Sequence, residues 1–205
     1  MLHYLPILSG SITPLVVNSF EVHRLTGLTQ EQARDWRRRG FLKKGGPGNA
    51  SYDVFDLAEI SLRRGLNQLG VPLAEAGPLV LDASSYVVAD ICRRTFVSVP
   101  NCEDLLSEIH HILAESESFL LVTHRGDGQT DARIVDPKVV SSGLMESEAK
   151  FGPVWGVINL QLVASLLFDK SRKPLVERMS VEAQKSRDRA LMLFHLGELD
   201  SDDTQ

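Results

Sequence analysis

The sequence predicts an α+β chain that is mainly helical, with a set of short helices first and a smaller α/β region containing a β-hairpin behind them. Three observations carry this expectation. Apolar residues recur at three- and four-residue spacing through most of positions 19–116. Gly27, Gly40 and the Gly70-Val71-Pro72 triplet punctuate that pattern at helix-length intervals. Two apolar runs, 119–122 and 132–135, flank the turn-forming Arg125-Gly126-Asp127-Gly128.

Residues 1–17 carry no formal charge and are interrupted by Pro6, Gly10 and Pro14. They lack the basic start of a signal peptide and read as a tail or as a strand docked on the body. Ser19 is the expected N-cap of a first helix, with Val22 and Leu25 as its apolar stripe and Gly27 as its stop. Thr29 is the expected cap of the second helix, and Gln32 stands three residues later, as a capping box requires. Ala33 and Trp36 share that helix's inner face, and Gly40 is placed to take the left-handed conformation that lets Phe41 and Leu42 fold back. Residues 43–51 hold three Gly and one Pro without periodicity, which predicts a loop, the wing of the unit.

Helical spacing resumes from Asp53 to Leu69 through Leu57, Ile60, Leu62 and Leu66. Leu73 opens another helix, and Gly77-Pro78 is expected to cut it, so that Pro78–Phe96 forms a separate connecting helix. Beyond Pro100, residues 102–116 read as a helix through Leu105, Leu106, Ile109 and Leu113. The 119–135 hairpin follows, then a strand over 154–160, with 160–168 open between strand and helix. Leu175–Leu196 reads as a long amphipathic helix, and the acidic residues 200–205 as a disordered tail. The expected division is a tail at 1–17, a first unit at 18–77, a connecting helix at 78–99, an α/β dimerisation or sensor domain at 100–199, and the tail at 200–205.

The formal net charge is −5, but it is unevenly spread. Residues 18–70 hold nine Lys/Arg and six Asp/Glu, a net +3; the rest holds 13 basic and 21 acidic residues, a net −8. A basic module on an acidic body suits binding of a polyanion through one face. Two cysteines supply neither a disulfide framework nor a four-ligand zinc site, and the default expectation is a reducing, cytoplasmic setting. No apolar run has the length of a membrane helix.

The ordered blocks Leu25-Thr26-Gly27, Ala33-Arg34-Asp35-Trp36, Gly40-Phe41-Leu42, Tyr52, Asp56-Leu57 and Leu69-Gly70-Val71-Pro72-Leu73-Ala74-Glu75-Ala76 resemble, in residues and spacing, the DNA-binding domain of the MerR family of bacterial transcription regulators. The resemblance covers about a quarter of the chain. It implies a winged helix-turn-helix that places its second helix in the DNA major groove, and a bacterial or phage-borne regulator without catalytic activity that binds a two-fold site as a homodimer. It carries departures too. Asp35 stands where the family has an aromatic residue near the phosphates, Ala50 where the wing has arginine, and no cysteines match the family's metal sensors.

The candidate DNA contacts follow from charge, position and the resemblance. Arg34 and Arg38 lie one turn apart on the second helix, with Arg37 beside them. Thr29, Gln30 and Gln32 sit in its first turn, where glutamine can bond adenine through two hydrogen bonds. Arg24 on the first helix and Lys43 and Lys44 at the start of the wing suit phosphates, and Trp36 and Tyr52 complete the set. The adjacent His110 and His111 point to different helix faces and do not chelate a metal, and His124 near Asp127 and Asp131 reads as turn chemistry. No metal, cofactor or catalytic residue is expected. The expected partners are double-stranded DNA and a second copy of the chain, with a small-molecule or protein effector at the C-terminal region left open. Two alternatives stand beside this: an excisionase-like architectural DNA-binding factor, and a protein-interaction module that has lost DNA affinity, for which Asp35 and Ala50 are the support.

Overall fold

A computed structural model describes residues 12–42, 51–113, 119–124, 130–136, 138, 140 and 154–178 of the chain. In chain order these form β1 (Ile12–Pro14), β2 (Val17–Asn18), α1 (Ser19–Thr26), α2 (Gln30–Arg38), β3 (Ser51–Tyr52), α3 (Val54–Gln68), α4 (Leu73–Phe96), α5 (Glu103–Leu113), β4 (Phe119–His124), β5 (Thr130–Val135), β6 (Val154–Asn159), α6 (Leu160–Lys170) and β7 (Val176–Arg178). Mixed helix and strand, with helix dominant, is the class the periodicity predicts.

Three side-chain caps set the starts of the first helices. Asn18, not Ser19, caps α1: its Oδ1 accepts the amides of Phe20 and Glu21 at 3.0 Å each, and Glu21 accepts the Asn18 amide at 3.3 Å. Asparagine outcompetes the neighbouring serine because glutamate then falls at the third helical position and closes the reciprocal box. Thr29 and Gln32 form the expected box at α2, with distances of 3.0 and 3.1 Å. Asp53 and Asp56 form a third at α3, at 2.9 and 3.0 Å.

The expected break at Gly77-Pro78 does not occur. α4 runs unbroken from Leu73 to Phe96 with Pro78 inside it. Proline costs a helix its i→i−4 hydrogen bond and crowds the carbonyl four residues back. Here Pro78 is exposed, and so is Ala74, whose carbonyl loses the partner; water can satisfy it. The remainder of the helix more than offsets that local cost. Residues 83–92 are buried in unbroken succession, which marks a helix surrounded by protein on all sides. α3, α5, α6 and β5 pack around it.

The polar groups within α4 are satisfied where they lie. Ser84 and Ser85 donate to the Leu81 carbonyl at 2.7 and 3.4 Å. Asp90, 1% exposed, accepts from Arg93 at 2.7 Å and from Arg94 at 2.9 Å. A buried carboxylate without such partners would be strongly destabilising.

β4 is the middle strand of an antiparallel sheet in the order β5-β4-β6, with Leu120 opposite Ile134 and Leu121 opposite Val157. The 119–135 hairpin is therefore present as two paired strands; its turn, 125–129, lies outside the described residues. The open reading of 160–168 is settled by Asn159, which ends β6 and caps α6 by accepting the Leu162 amide at 2.9 Å.

Leu175–Arg178 departs from expectation. It does not begin a helix: Val176–Arg178 is a strand, paired antiparallel with β1 so that Ile12 faces Arg178 and Pro14 faces Val176. Leu175, Val176 and Ile12 are buried together, and Leu15 donates to the Leu175 carbonyl at 3.0 Å. The rest of the expected 175–196 helix, the acidic residues beyond it and residues 1–11 lie outside the described residues. One hydrophobic cluster joins all of this, from Ile12, Val22, Leu25 and Trp36 through α3 and α4 to Leu160, Leu167 and Val176.

Candidate nucleic-acid interface

The α1–α2 pair is held at a fixed angle by its connection. Gly27 takes φ +71°, the left-handed conformation that favours glycine. Thr26 donates its hydroxyl to the Val22 carbonyl at 2.8 Å and accepts the Leu28 amide at 3.2 Å. Arg64 reaches across from α3 and donates to the Thr26 carbonyl at 2.9 Å, closing the C-terminal end of α1. Leu28 is 1% exposed and anchors the turn in the core. Two helices joined by a short turn, with the second capped and its outer face free, are the local geometry of a helix-turn-helix.

α2 divides sharply by face. Trp36, 4% exposed, is its buried anchor, with Ala33 half-buried beside it. Gln30, Gln32, Arg34, Arg38 and Arg39 are exposed. Gln32 accepts the Thr29 amide with its side-chain oxygen, which holds that side chain over the start of the helix. Arg37 is half-buried on the side facing α1.

Asp35 organises the positive face. Its carboxylate accepts from Arg38 at 2.7 Å and from Arg39 at 3.4 Å. The Arg38 hydrogen bond is the main cause holding the carboxyl below its ordinary value, with Arg39 adding to it against a desolvation effect of opposite sign. Arg39 also stacks over the Phe41 ring, 5.0 Å from its centroid. Arg34 has neither a hydrogen bond nor an ion pair among the described residues. It is exposed, as is Arg38, whose side chain is 80% exposed.

The other expected contacts fall elsewhere. Tyr52, 3% exposed, belongs to the core, where β3 pairs with β2 and sets Val17 opposite Tyr52. Its burial and that of Trp36 give both rings a packing role. Arg24 donates to the Lys170 carbonyl at the end of α6, which ties α1 to the C-terminal part of the chain. Lys43, Lys44 and Ala50 lie outside the described residues. Three contributors escaped the sequence reading. Arg39 was legible in the Arg37-Arg38-Arg39 run, whereas Arg64 and Asn18 act through one long-range bond and one cap choice that spacing alone does not reveal.

Where α2 ends, a cleft of about 280 Å³ opens between Gly40, Phe41, Leu42 and the α3 side chains Asp56, Glu59 and Arg63. Glu59 and Arg63, one turn apart on α3, pair at 2.5 Å along its wall. Among the described residues no group of three or more His, Cys, Asp or Glu could hold a metal ion. Both cysteines are buried as free thiols, and burial pushes Cys92 up to about 12. No helix of the described residues is long and apolar enough to cross a membrane.

Comparison with known proteins agrees with this geometry. Residues 18–81 match the family described as MerR HTH family regulatory protein. The match spans Asn18, both helices of the pair, β3, α3 and the start of α4, about a third of the chain. It supports a DNA-binding regulatory module. The chain has no match among curated proteins.

Proposed function

We propose that the chain is a transcription regulator that binds duplex DNA through α2. A winged helix-turn-helix formed by 18–77 meets the DNA, and the remaining residues pair two copies on a two-fold site. The observation that carries this reading is the coincidence of three features in one segment: the family match at 18–81, the capped helix pair, and the exposed Arg34 and Arg38. The acidic remainder of the chain orients the module, since only its basic face is attracted to phosphate. Gln30 and Arg34, in the first two turns of α2, are the side chains we assign to base edges. Lys43 and Lys44 at the wing, with Arg38, are assigned to phosphates, which position the protein without reading sequence.

A single small module makes few contacts, so pairing raises affinity through effective concentration. Residues 83–92 of α4 are buried in the chain's own core. The exposed Leu162 and Leu166 of α6, 56% and 45% accessible, are the surface we assign to pairing. Light scattering of the full chain, which should give a dimer at micromolar concentration, checks that assignment.

Binding to duplex DNA should weaken steeply with salt, with a slope of log K against log salt of about −0.9 for each phosphate neutralised. The test is fluorescence anisotropy of a labelled duplex carrying the protein's own upstream region, over a several-fold salt range. A flat or absent response would favour the protein-interaction reading. The Asp35 pairs with Arg38 and Arg39 give that second reading its specific support, since they partly neutralise the face that would meet DNA.

A further inference from the structure

Three cations stand together far outside the segment that matches the family. Lys170, Arg172 and Lys173 lie at the end of α6 and just beyond it, and all three are exposed. They run against the acidic balance of the chain outside 18–70: Asp169 is the one acidic residue between Leu160 and Val176. Asp169 accepts the Ser165 hydroxyl at 3.0 Å, one turn back along α6. The side chains of Lys170, Arg172 and Lys173 have neither a hydrogen bond nor an ion pair among the described residues.

Their backbone, by contrast, is fixed on every side. The Ser171 amide donates to the Leu167 and Phe168 carbonyls at 3.1 Å each, and its hydroxyl donates to the Lys173 carbonyl. Beyond Pro174, Leu175 is buried and β7 pairs with β1. From α1, Arg24 donates to the Lys170 carbonyl, where a cation also suits the negative end of the α6 dipole. Arg24 is therefore a positioning residue, and what it positions against the first helix of the helix-turn-helix is a run of free cations.

The side of α1 that receives this run is not the side that meets α2. Ser19, Val22 and His23 of α1 line one small cavity with Gln30, Ala33 and Arg37 of α2, which marks the α2-facing side. Arg24 follows His23 by one residue and leaves the helix in another direction. α1 thus lies between α2 and the Lys170–Lys173 segment. Packed helices are spaced by roughly 8–10 Å, which puts the segment roughly 16–20 Å from the α2 axis. That span is about five or six nucleotides along one strand at roughly 3.4 Å each. A first helix that crosses the DNA backbone would have phosphates on both of its sides.

We infer that Lys170, Arg172 and Lys173 form a second phosphate-contact surface, outside the helix-turn-helix, that meets the duplex beyond the α1 side of the α2 site. This contact rests on the DNA-binding reading above and lengthens the site that reading assigns. Because the backbone is already held in place, only the side chains lose freedom when the phosphates arrive.

The test is Arg172→Gln with Lys173→Gln in the full-length protein, measured by anisotropy on two duplexes: one long, and one trimmed by about six base pairs on the flank in question, as located by hydroxyl-radical footprinting. Both side chains are exposed, and circular dichroism with the melting temperature checks the fold. On the long duplex the salt slope should shrink by about two and affinity at low salt should fall by roughly 2- to 30-fold, the range of two exposed ion pairs. On the trimmed duplex wild type and variant should bind alike. Lys138→Gln, which removes another exposed cation, should leave the slope unchanged. A folded double variant with wild-type affinity and slope on the long duplex overturns the second surface and leaves the DNA-binding reading intact. An equal loss on both duplexes, or the same loss per charge from Lys138→Gln, also overturns it, since the effect is then not a flanking contact. A wild-type protein that binds neither duplex at any salt concentration overturns both.

Discussion

Gly27→Ala tests whether the turn between α1 and α2 is as constrained as its bonds imply. At φ +71° an alanine is strained, and the added Cβ would lie 2.8 Å from Nη1 and 3.2 Å from the central carbon of the Arg64 guanidinium. The left-handed backbone costs an L-residue about 1–2 kcal/mol. Arg64 is the far end of a flexible side chain and can retreat, but retreat loosens its 2.9 Å bond to the Thr26 carbonyl, a charged hydrogen bond of about 1.5–3 kcal/mol when lost outright. Reduced freedom of the unfolded chain returns about 0.4–1 kcal/mol. The expected net destabilisation is about 1–3 kcal/mol, or roughly a 3–10 °C fall in melting temperature for a chain of this size. Urea denaturation followed by circular dichroism measures it. A cycle with Arg64→Met isolates the contact: the arginine substitution should cost less in the alanine background than in wild type, because the bond is already loosened there. A Gly27→Ala protein within about 0.5 kcal/mol of wild type, or strict additivity in the cycle, would refute the reasoning.

Two further outcomes follow from the charges. Asp35→Asn releases Arg38 and Arg39 from their shared carboxylate and should tighten duplex binding at low salt by roughly 2- to 5-fold, the range of an exposed ion pair; anisotropy checks this, and weaker binding would show that Asp35 positions the arginines rather than restrains them. Because Arg38 holds the Asp35 carboxyl below its ordinary 3.8, this pairing is complete above that value and is lost only as pH falls through the lowered one, so duplex affinity should show no step from this group between pH 5 and pH 8. Burial raises the Cys92 thiol from an ordinary 9.0 to about 12, so the unfolded chain ionises first. Its contribution to stability is intact below pH 9 and falls as pH rises towards 12. A thiol reagent at pH 8 should modify Cys92 only after unfolding, and labelling of the native protein at the unfolded rate would contradict the burial.

The helix-turn-helix was legible because its determinants are local. Thr29 with Gln32, Asp53 with Asp56, Gly27 and Gly40 each act within one turn of their own position, and periodicity placed Trp36 inward correctly. The departures share a cause in packing between distant segments. Pro78 signals a break to any local rule, yet burial of residues 83–92 keeps α4 whole. Val176 has helix-compatible neighbours, but pairing with β1 near the other end of the chain makes Val176–Arg178 a strand. The candidate site shows the same split. The exposed arginines were legible as a basic helix face, whereas Asp35 as their shared counter-ion and the bond between Arg24 and the Lys170 carbonyl depend on rotamers and tertiary contact. The family resemblance named the module and carried Tyr52 into the DNA-contact set, where its burial now gives it a packing role.

The central claim is that α2 meets DNA, and reversing the charge of Arg34 and Arg38 together tests it most directly. Both side chains point away from the core, so Arg34→Glu with Arg38→Glu should leave circular dichroism and melting close to wild type. Duplex binding measured by anisotropy at low salt should be abolished, because two attractions to the phosphates become two repulsions. A folded double variant that binds the duplex with wild-type affinity would place the interface elsewhere and contradict the account.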